Sequence, residues 1–188
     1  TKESVEIIRK AKKEGLPITC DTAPPYFMLN ELSLENYRTF SKLSPPLRTE
    51  EDRNNIINGI LDGTIDVIAS DHTPHDQDAK RLPFNQAEFG GVGLETLLPM
   101  TLNLVKNYNL SLTKAISLIT KNPSEILGLK TGKISPDLEA DLIVFDLEKP
   151  WKINSESFHS KSKNSPFDGI LVQGKNLMTF VRGRLVYK

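Results

Sequence analysis

Apolar residues recur at helical spacing from the first positions onward: Val5 with Ile8 and Ile7 with Ala11, with Lys and Glu between them. The pattern predicts a helix opened by Thr1 or Ser4 as N-cap, ended at Gly15 and followed by Pro17. A short strand is expected over 18–22, stopped by Pro24-Pro25. A loop with some helical content then runs to Leu43, and Pro45-Pro46 imposes extended backbone. Thr49, followed by Glu50-Glu51-Asp52, predicts a capped helix whose acidic first turn suits the positive end of the dipole. Ile56, Ile57, Ile60 and Leu61 give that helix an apolar face, and Gly63 ends it. Residues 64–70 (TIDVIAS) form a compact apolar strand of the kind buried in parallel sheets. Three further helical stretches are predicted, roughly 92–107, 111–120 and 123–128.

The texture changes after Gly128. Residues 140–146 (ADLIVFD), 168–173 (DGILVQ) and 178–187 (MTFVRGRLVY) read as strands with glycine-containing turns and no long helix between them. The expected organisation is a strand–helix α/β part over 1–128 and a small β-rich part over 129–188. About two βα units are visible. They suit either an open doubly wound sheet or a piece of a (β/α)8 barrel, which two units cannot close. A chain that opens on Thr1-Lys2-Glu3-Ser4 without Met and runs directly into a helix is expected to be a segment or processed piece of a longer protein.

Composition narrows the function classes. The chain has 188 residues, 24 Lys+Arg against 24 Asp+Glu, and a formal net charge of zero. That balance argues against nucleic-acid binding and polybasic membrane attachment, which need surplus cations. No apolar run approaches the roughly 20 residues of a membrane span. The single Cys20 excludes an internal disulfide framework and an all-cysteine zinc site, and points to a reducing compartment, most simply the cytoplasm. With three histidines, His72, His75 and His159, the chain alone cannot build a centre that needs four imidazoles.

Candidate chemistry concentrates in Ser70-Asp71-His72-Thr73-Pro74-His75, at the C-terminal end of the TIDVIAS strand, where parallel α/β folds build their sites. A carboxylate with two imidazoles can supply a metal ligand, a general base and a substrate donor. Spacing alone fits equally well an Asp that caps the next turn beside two surface histidines. The polar loop 71–91 that follows is about 20 residues long, more than a plain connection needs. In Lys42-Leu43-Ser44-Pro45-Pro46-Leu47-Arg48, Arg48 could clamp a carboxylate, although pairing with Glu50 or Glu51 is the commoner outcome at such a spacing. Glu88-Phe89-Gly90-Gly91 precedes an apolar helix, where glycines permit close approach of a ligand to backbone N–H groups or simply form a turn. Cys20 reads as core, and His159 as a surface residue.

The string Ala69-Ser70-Asp71-His72-Thr73-Pro74-His75 resembles the signature of bacterial type I dihydroorotases in the amidohydrolase superfamily. The resemblance runs in register along the whole chain. Thr1–Ala11 is similar to the segment after that family's "CHxS" motif, and Pro45-Pro46-Leu47-Arg48-Thr49-Glu50-Glu51-Asp52-Arg53 to its "NPPLRxxEDR" stretch. Phe89-Gly90 with Gly93-Leu94-Glu95-Thr96 is similar to its "FGxxGxET". Asn122-Pro123, Gly132-Lys133-Ile134 and Ala140-Asp141-Leu142 resemble the passage into its C-terminal β part. What the resemblance implies is the C-terminal part of a metallo-dependent hydrolase (β/α)8 barrel followed by part of a small β-sandwich. It further implies one or two zinc ions at the barrel mouth and reversible ring closure of N-carbamoyl-L-aspartate to dihydroorotate, in pyrimidine biosynthesis.

By this resemblance Asp71 is the last of the family's zinc ligands, from the eighth strand, and also the general acid/base. The other ligands, an HxH pair, a further Asp and two further His, would lie upstream, the last of them immediately before Thr1. His75 would bind substrate, and Phe89 and Gly90 would offer it backbone contacts. Ser44 stands where the family has a substrate-contacting Asn and lacks that amide. Pro24-Pro25-Tyr26 departs from the family's "PHH", and no ligand is assigned there. The 188-residue chain alone is then expected to be inactive, with the N-terminal half of the same protein as its necessary partner and a homodimer or an aspartate transcarbamoylase assembly as the family habit. Alternatives are an allantoinase or dihydropyrimidinase-like cyclic amidase, or a non-catalytic homologue acting as scaffold for aspartate transcarbamoylase. Retention of both Asp71 and His75 argues against the scaffold.

Overall fold

The computed structural model describes all residues, 1–188, and divides them into two compact units. The first comprises Thr1–Leu97 together with Ile153–Ile170, the second Leu98–Lys152 with Leu171–Lys188. The excursion Ile153–Ile170 packs with the early part of the chain.

In the first unit, helix α1 (Lys2–Lys13) starts where expected. The Thr1 Oγ1 accepts the Ser4 N–H at 3.2 Å, Glu3 sits in the first turn, and Lys10, Lys12 and Lys13 sit in the last. It ends in a Schellman motif: Gly15 at φ +81° donates its N–H to the Lys12 carbonyl, and Leu16 donates to that of Ala11. Strand β1 (Asp21–Thr22) leads into a short helix α2 (Pro24–Met28), then 3-10 turns carry the chain to helix α3 (Glu50–Asp62). The Thr49 Oγ1 caps α3 by accepting the Asp52 N–H at 3.2 Å, and Gly63 closes it at φ +84°. Thr49→Ala is expected to lower the unfolding free energy by about 1 kcal/mol, measurable by urea denaturation.

Strand β2 (Val67–Ile68) pairs parallel with β1, Asp21 facing Val67 and Thr22 facing Ile68. Flanking bonds from Asp66 N–H to the Cys20 carbonyl and from Ala69 N–H to the Thr22 carbonyl extend the contact. Regular pairing is thus shorter than the expected 18–22 and 64–70, since β1 and β2 have only each other as neighbours. Helices α1 and α3 pack closely enough that a Cβ on Gly59 would lie 3.0 Å from the Val5 Cγ1. Ion pairs Lys2–Glu51, Arg9–Asp62 and Lys12–Asp66 fix α1 to the α3–β2 segment. Val5, Phe27, Ile57, Ile60, Ile68 and Phe167 are among the buried apolar residues.

The loop after β2 is not wholly irregular. Helix α4 (Gln77–Arg81) forms within it because the Asp76 carboxylate accepts the Ala79 N–H at 2.8 Å. The second unit holds most of α5 (Leu97–Tyr108), then α6 (Leu112–Ile119) and α7 (Lys121–Ile126). α7 begins ahead of the expected 123, since Pro123 falls in its first turn, where a missing N–H costs nothing. An antiparallel sheet follows, of β3 (Leu142–Lys152), β4 (Leu171–Val181) and β5 (Arg184–Tyr187) in that order. Bulges interrupt the β3–β4 register between Val144 and Phe145 and between Asp146 and Pro150.

Candidate functional site

Asp71 follows β2 directly and adopts φ +49°, a left-handed conformation that Asp tolerates better than bulkier residues. Its half-buried carboxylate faces the Tyr26 hydroxyl, with the oxygens 3.5 Å apart. That hydroxyl donates to the Pro45 carbonyl at 3.1 Å, and the Ser44–Pro45 bond is cis. Burial pushes the Asp71 carboxyl above its usual range, with the Asp21 charge adding to the shift. Burial and the Asp71 carboxylate push the Tyr26 phenol up as well. A cleft of about 550 Å³ opens here, lined by Thr1, Asp21, Tyr26, Ser44, Arg48 and Asp71 among others. Of the sequence-predicted residues, Ser44 and Asp71 therefore share one cavity. Arg48 is exposed on the same wall. The ion pairing expected of Arg48 falls instead to Arg53 with Glu50 and to Lys2 with Glu51.

Asp71 is the candidate metal donor, and Asp21 and Asp52 border the same cleft without forming a ligand cluster with it. No group of three or more His, Cys, Asp or Glu side chains in the structure could hold an ion. A catalytic zinc takes about three protein ligands. Asp71 fits one of them: it is half-buried, acceptor-only when ionised, lies in a cleft and is met by no ion pair. His72 is not available as a second, because its Nδ1 accepts the Gly93 N–H at 3.2 Å.

A second cluster holds His75, Phe89 and Gly90. The His75 Nε2 donates to the Phe89 carbonyl at 2.8 Å, which fixes the ring. The Gly90 N–H donates to the Lys42 carbonyl at 2.9 Å, and the Gly90 carbonyl accepts from the Asn164 Nδ2 at 3.3 Å. The Gly90 N–H and both carbonyls already have protein partners, so a further contact at Phe89 or Gly90 would use the Phe89 N–H or a carbonyl's second lone pair. Gly90 has φ +119°, and a Cβ there would lie 2.6 Å from the Thr73 side chain, so glycine is required by both conformation and space. The strip is held to β2's extension by the parallel bridge His72–Gly91 and by Thr73 N–H to the Gly91 carbonyl at 2.8 Å.

Asn164 organises this cluster and is invisible in the motif pattern. It is 2 % exposed. Its Oδ1 accepts the His75 N–H at 3.4 Å, its Nδ2 reaches Gly90, and its carbonyl accepts the Val92 N–H at 3.1 Å. Tyr26 was visible only as a departure from a family pattern. Cys20, expected in the core, is partly exposed, and its thiol donates to the Thr64 carbonyl. His159 lies on the surface beside Glu95, as expected.

The chain is 50% identical over 188 residues to a dihydroorotase of Anaplasma phagocytophilum (strain HZ) and 45% identical over 188 residues to one of Ehrlichia chaffeensis (strain ATCC CRL-10679 / Arkansas). Each match takes in 100% of this chain and 42% of the relative, so the chain spans less than half the length of these proteins. Among solved structures, an L-hydantoinase (dihydropyrimidinase) from Arthrobacter aurescens superposes with a TM-score of 0.92 at 32% identity, over 100% of this chain and 43% of that one. The fold is that of a segment of the metal-dependent hydrolase (β/α)8 barrel with the β-rich part that follows it. Since the sequence model of the amidohydrolase family matches residues 1–186, nearly the whole length, the chain belongs to that family.

Proposed function

We propose that these residues are part of a zinc-dependent cyclic amidohydrolase that interconverts N-carbamoyl-L-aspartate and dihydroorotate in pyrimidine biosynthesis. The observation that carries the reading is the Asp71 carboxylate, set at the end of a parallel strand and open to a cleft, in a chain half identical to a dihydroorotase. Zinc, held by Asp71 and by ligands contributed from outside these residues, would supply Lewis-acid polarisation and a nucleophile of lowered pKa. Asp71 receives the proton released as the ring amide carbon is attacked and delivers one to the departing ring nitrogen. His75, oriented through Phe89, binds substrate, and Ser44 and the Phe89–Gly90 strip border it. A 1–128 barrel segment and a 129–188 sandwich segment, a cytoplasmic location, and a homodimer or aspartate transcarbamoylase partner complete the proposal. No helix is long and apolar enough to cross a membrane.

The likeness to an L-hydantoinase at 32% identity favours a second reading, a dihydropyrimidinase-like amidase. Assay of the longer protein with dihydroorotate, dihydrouracil and hydantoin separates them. Turnover of dihydroorotate alone, lost on chelation and restored by zinc, is the expected result. Turnover of the other rings would move the assignment to that second reading. No turnover by a zinc-loaded protein would leave the scaffold role.

A further inference from the structure

Two lysines outside the proposed chemistry are buried without a carboxylate. Lys80, on α4, is 0 % exposed, and Lys42 is 7 % exposed. Buried ammonium groups ordinarily meet an anion. Here they meet carbonyls. The Lys80 Nζ donates to the Glu88 carbonyl at 2.7 Å and to that of Lys42 at 3.3 Å. The Lys42 Nζ donates to the carbonyls of Phe84 at 2.7 Å and Ala87 at 2.5 Å, with Asn85 at 3.4 Å. The same ammonium lies 4.4 Å from the centroid of the Phe89 ring and 5.4 Å from that of Phe84, within cation–π range. The carbonyls of Phe84, Asn85, Ala87 and Glu88 thus turn inward around two cations.

The direction of the wrapping leads to the candidate site. The Lys42 carbonyl that receives Lys80 also receives the Gly90 N–H at 2.9 Å. Phe89, stacked against the Lys42 ammonium, uses its own carbonyl to hold the His75 Nε2 at 2.8 Å. Removing the Lys80 ammonium takes the donor from the Glu88 carbonyl, and removing that of Lys42 takes it from the carbonyls of Phe84 and Ala87, so the strip that orients His75 loses its anchor.

We infer that Lys42 and Lys80 are positioning residues that form a two-cation clamp on residues 84–90 and thereby set His75 and the Phe89–Gly90 backbone for an anionic cyclic substrate. The inference rests on the dihydroorotase reading for its substrate and on the geometry above for the clamp.

Lys80→Met keeps the apolar stem and removes the donors. In the longer zinc-loaded enzyme, KM for dihydroorotate is expected to rise at least tenfold, with kcat within about threefold. Amide hydrogen exchange across 84–91 is expected to quicken at least tenfold with exchange in β2 unchanged, and the His75 imidazole nitrogen resonances should move. Lys42→Met should reproduce the KM effect, and the double variant should be no worse than the poorer single one, because both act on one strip. Lys42→Met carries the test if Lys80→Met does not fold. An unchanged KM in a folded variant, or kcat and KM falling together with general loss of protection, overturns the clamp. A wild-type enzyme that turns over hydantoin instead overturns the functional reading only, and the same KM comparison is then made on that ring. With no turnover at all, unchanged exchange and unchanged His75 resonances in the variants overturn the clamp by themselves.

Discussion

Asp71→Asn is expected to reduce dihydroorotate turnover at least about 1,000-fold in the longer enzyme while leaving the fold intact. The substitution keeps the volume of the side chain and one carbonyl oxygen, which can still accept the Tyr26 hydroxyl. It removes the negative charge that would bind metal and the basicity that would carry the proton. In the metal-free protein stability should not fall: burial raises the Asp71 carboxyl in the folded state, so its ionised form costs folding free energy once pH exceeds the ordinary carboxylate range, and the neutral amide is spared that cost. Steady-state kinetics with thermal denaturation in parallel makes the check. Turnover above a tenth of wild type would remove Asp71 from the chemistry, and loss of activity with loss of fold would assign it a structural role.

The largest structural effect is expected at Gly93. An added Cβ would lie 2.0 Å from the Ser70 carbonyl oxygen and 3.1 Å from its carbon, both backbone atoms with no rotamer to move aside. The Gly93 N–H meanwhile donates to His72, and its carbonyl accepts from the Thr96 hydroxyl. Gly93→Ala must displace either the end of β2 that carries Asp71 or the 91–94 turn. A loss of about 3 kcal/mol is expected, a melting temperature lower by roughly 6–12 °C for a chain of this size. Gly183→Ala serves as the comparison: nothing lies within 4 Å of its added Cβ, and only the strain of φ +75° remains, about 1 kcal/mol. Equal effects at the two glycines would refute the steric argument.

Local physics made α1 and α3 legible, because a Thr cap, an acidic first turn and a glycine stop act within a few residues of each other. The parallel pairing of β1 with β2 was legible in the apolar run of residues 64–70, and with it the position of Asp71 at a strand end. α4 was not, since a five-residue helix on one Asp cap gives too little periodicity to stand out from its loop. Arg48 was given an acidic partner by spacing, but Arg53 reaches Glu50 from the next turn of α3 and takes it. Asn164 and the buried lysines lay beyond local reasoning altogether. Asn164 meets His75 across 89 positions, and a lysine in a sequence looks the same whether it faces water or backbone carbonyls.

The excursion Ile153–Ile170 bears on how such a chain is made. Residues up to Leu97 leave the ribosome first, yet Val92, Gly90 and His75 wait for Asn164. At about 5–20 residues per second, the 73 residues from Leu97 to Ile170 take roughly 4–15 s to appear. During that interval the nascent His75 loop and the Phe89–Gly90 strip lack their Asn164 bonds. The first unit therefore closes only after Leu98–Lys152, the larger part of the second, has been made, and before Leu171–Lys188 completes that second unit.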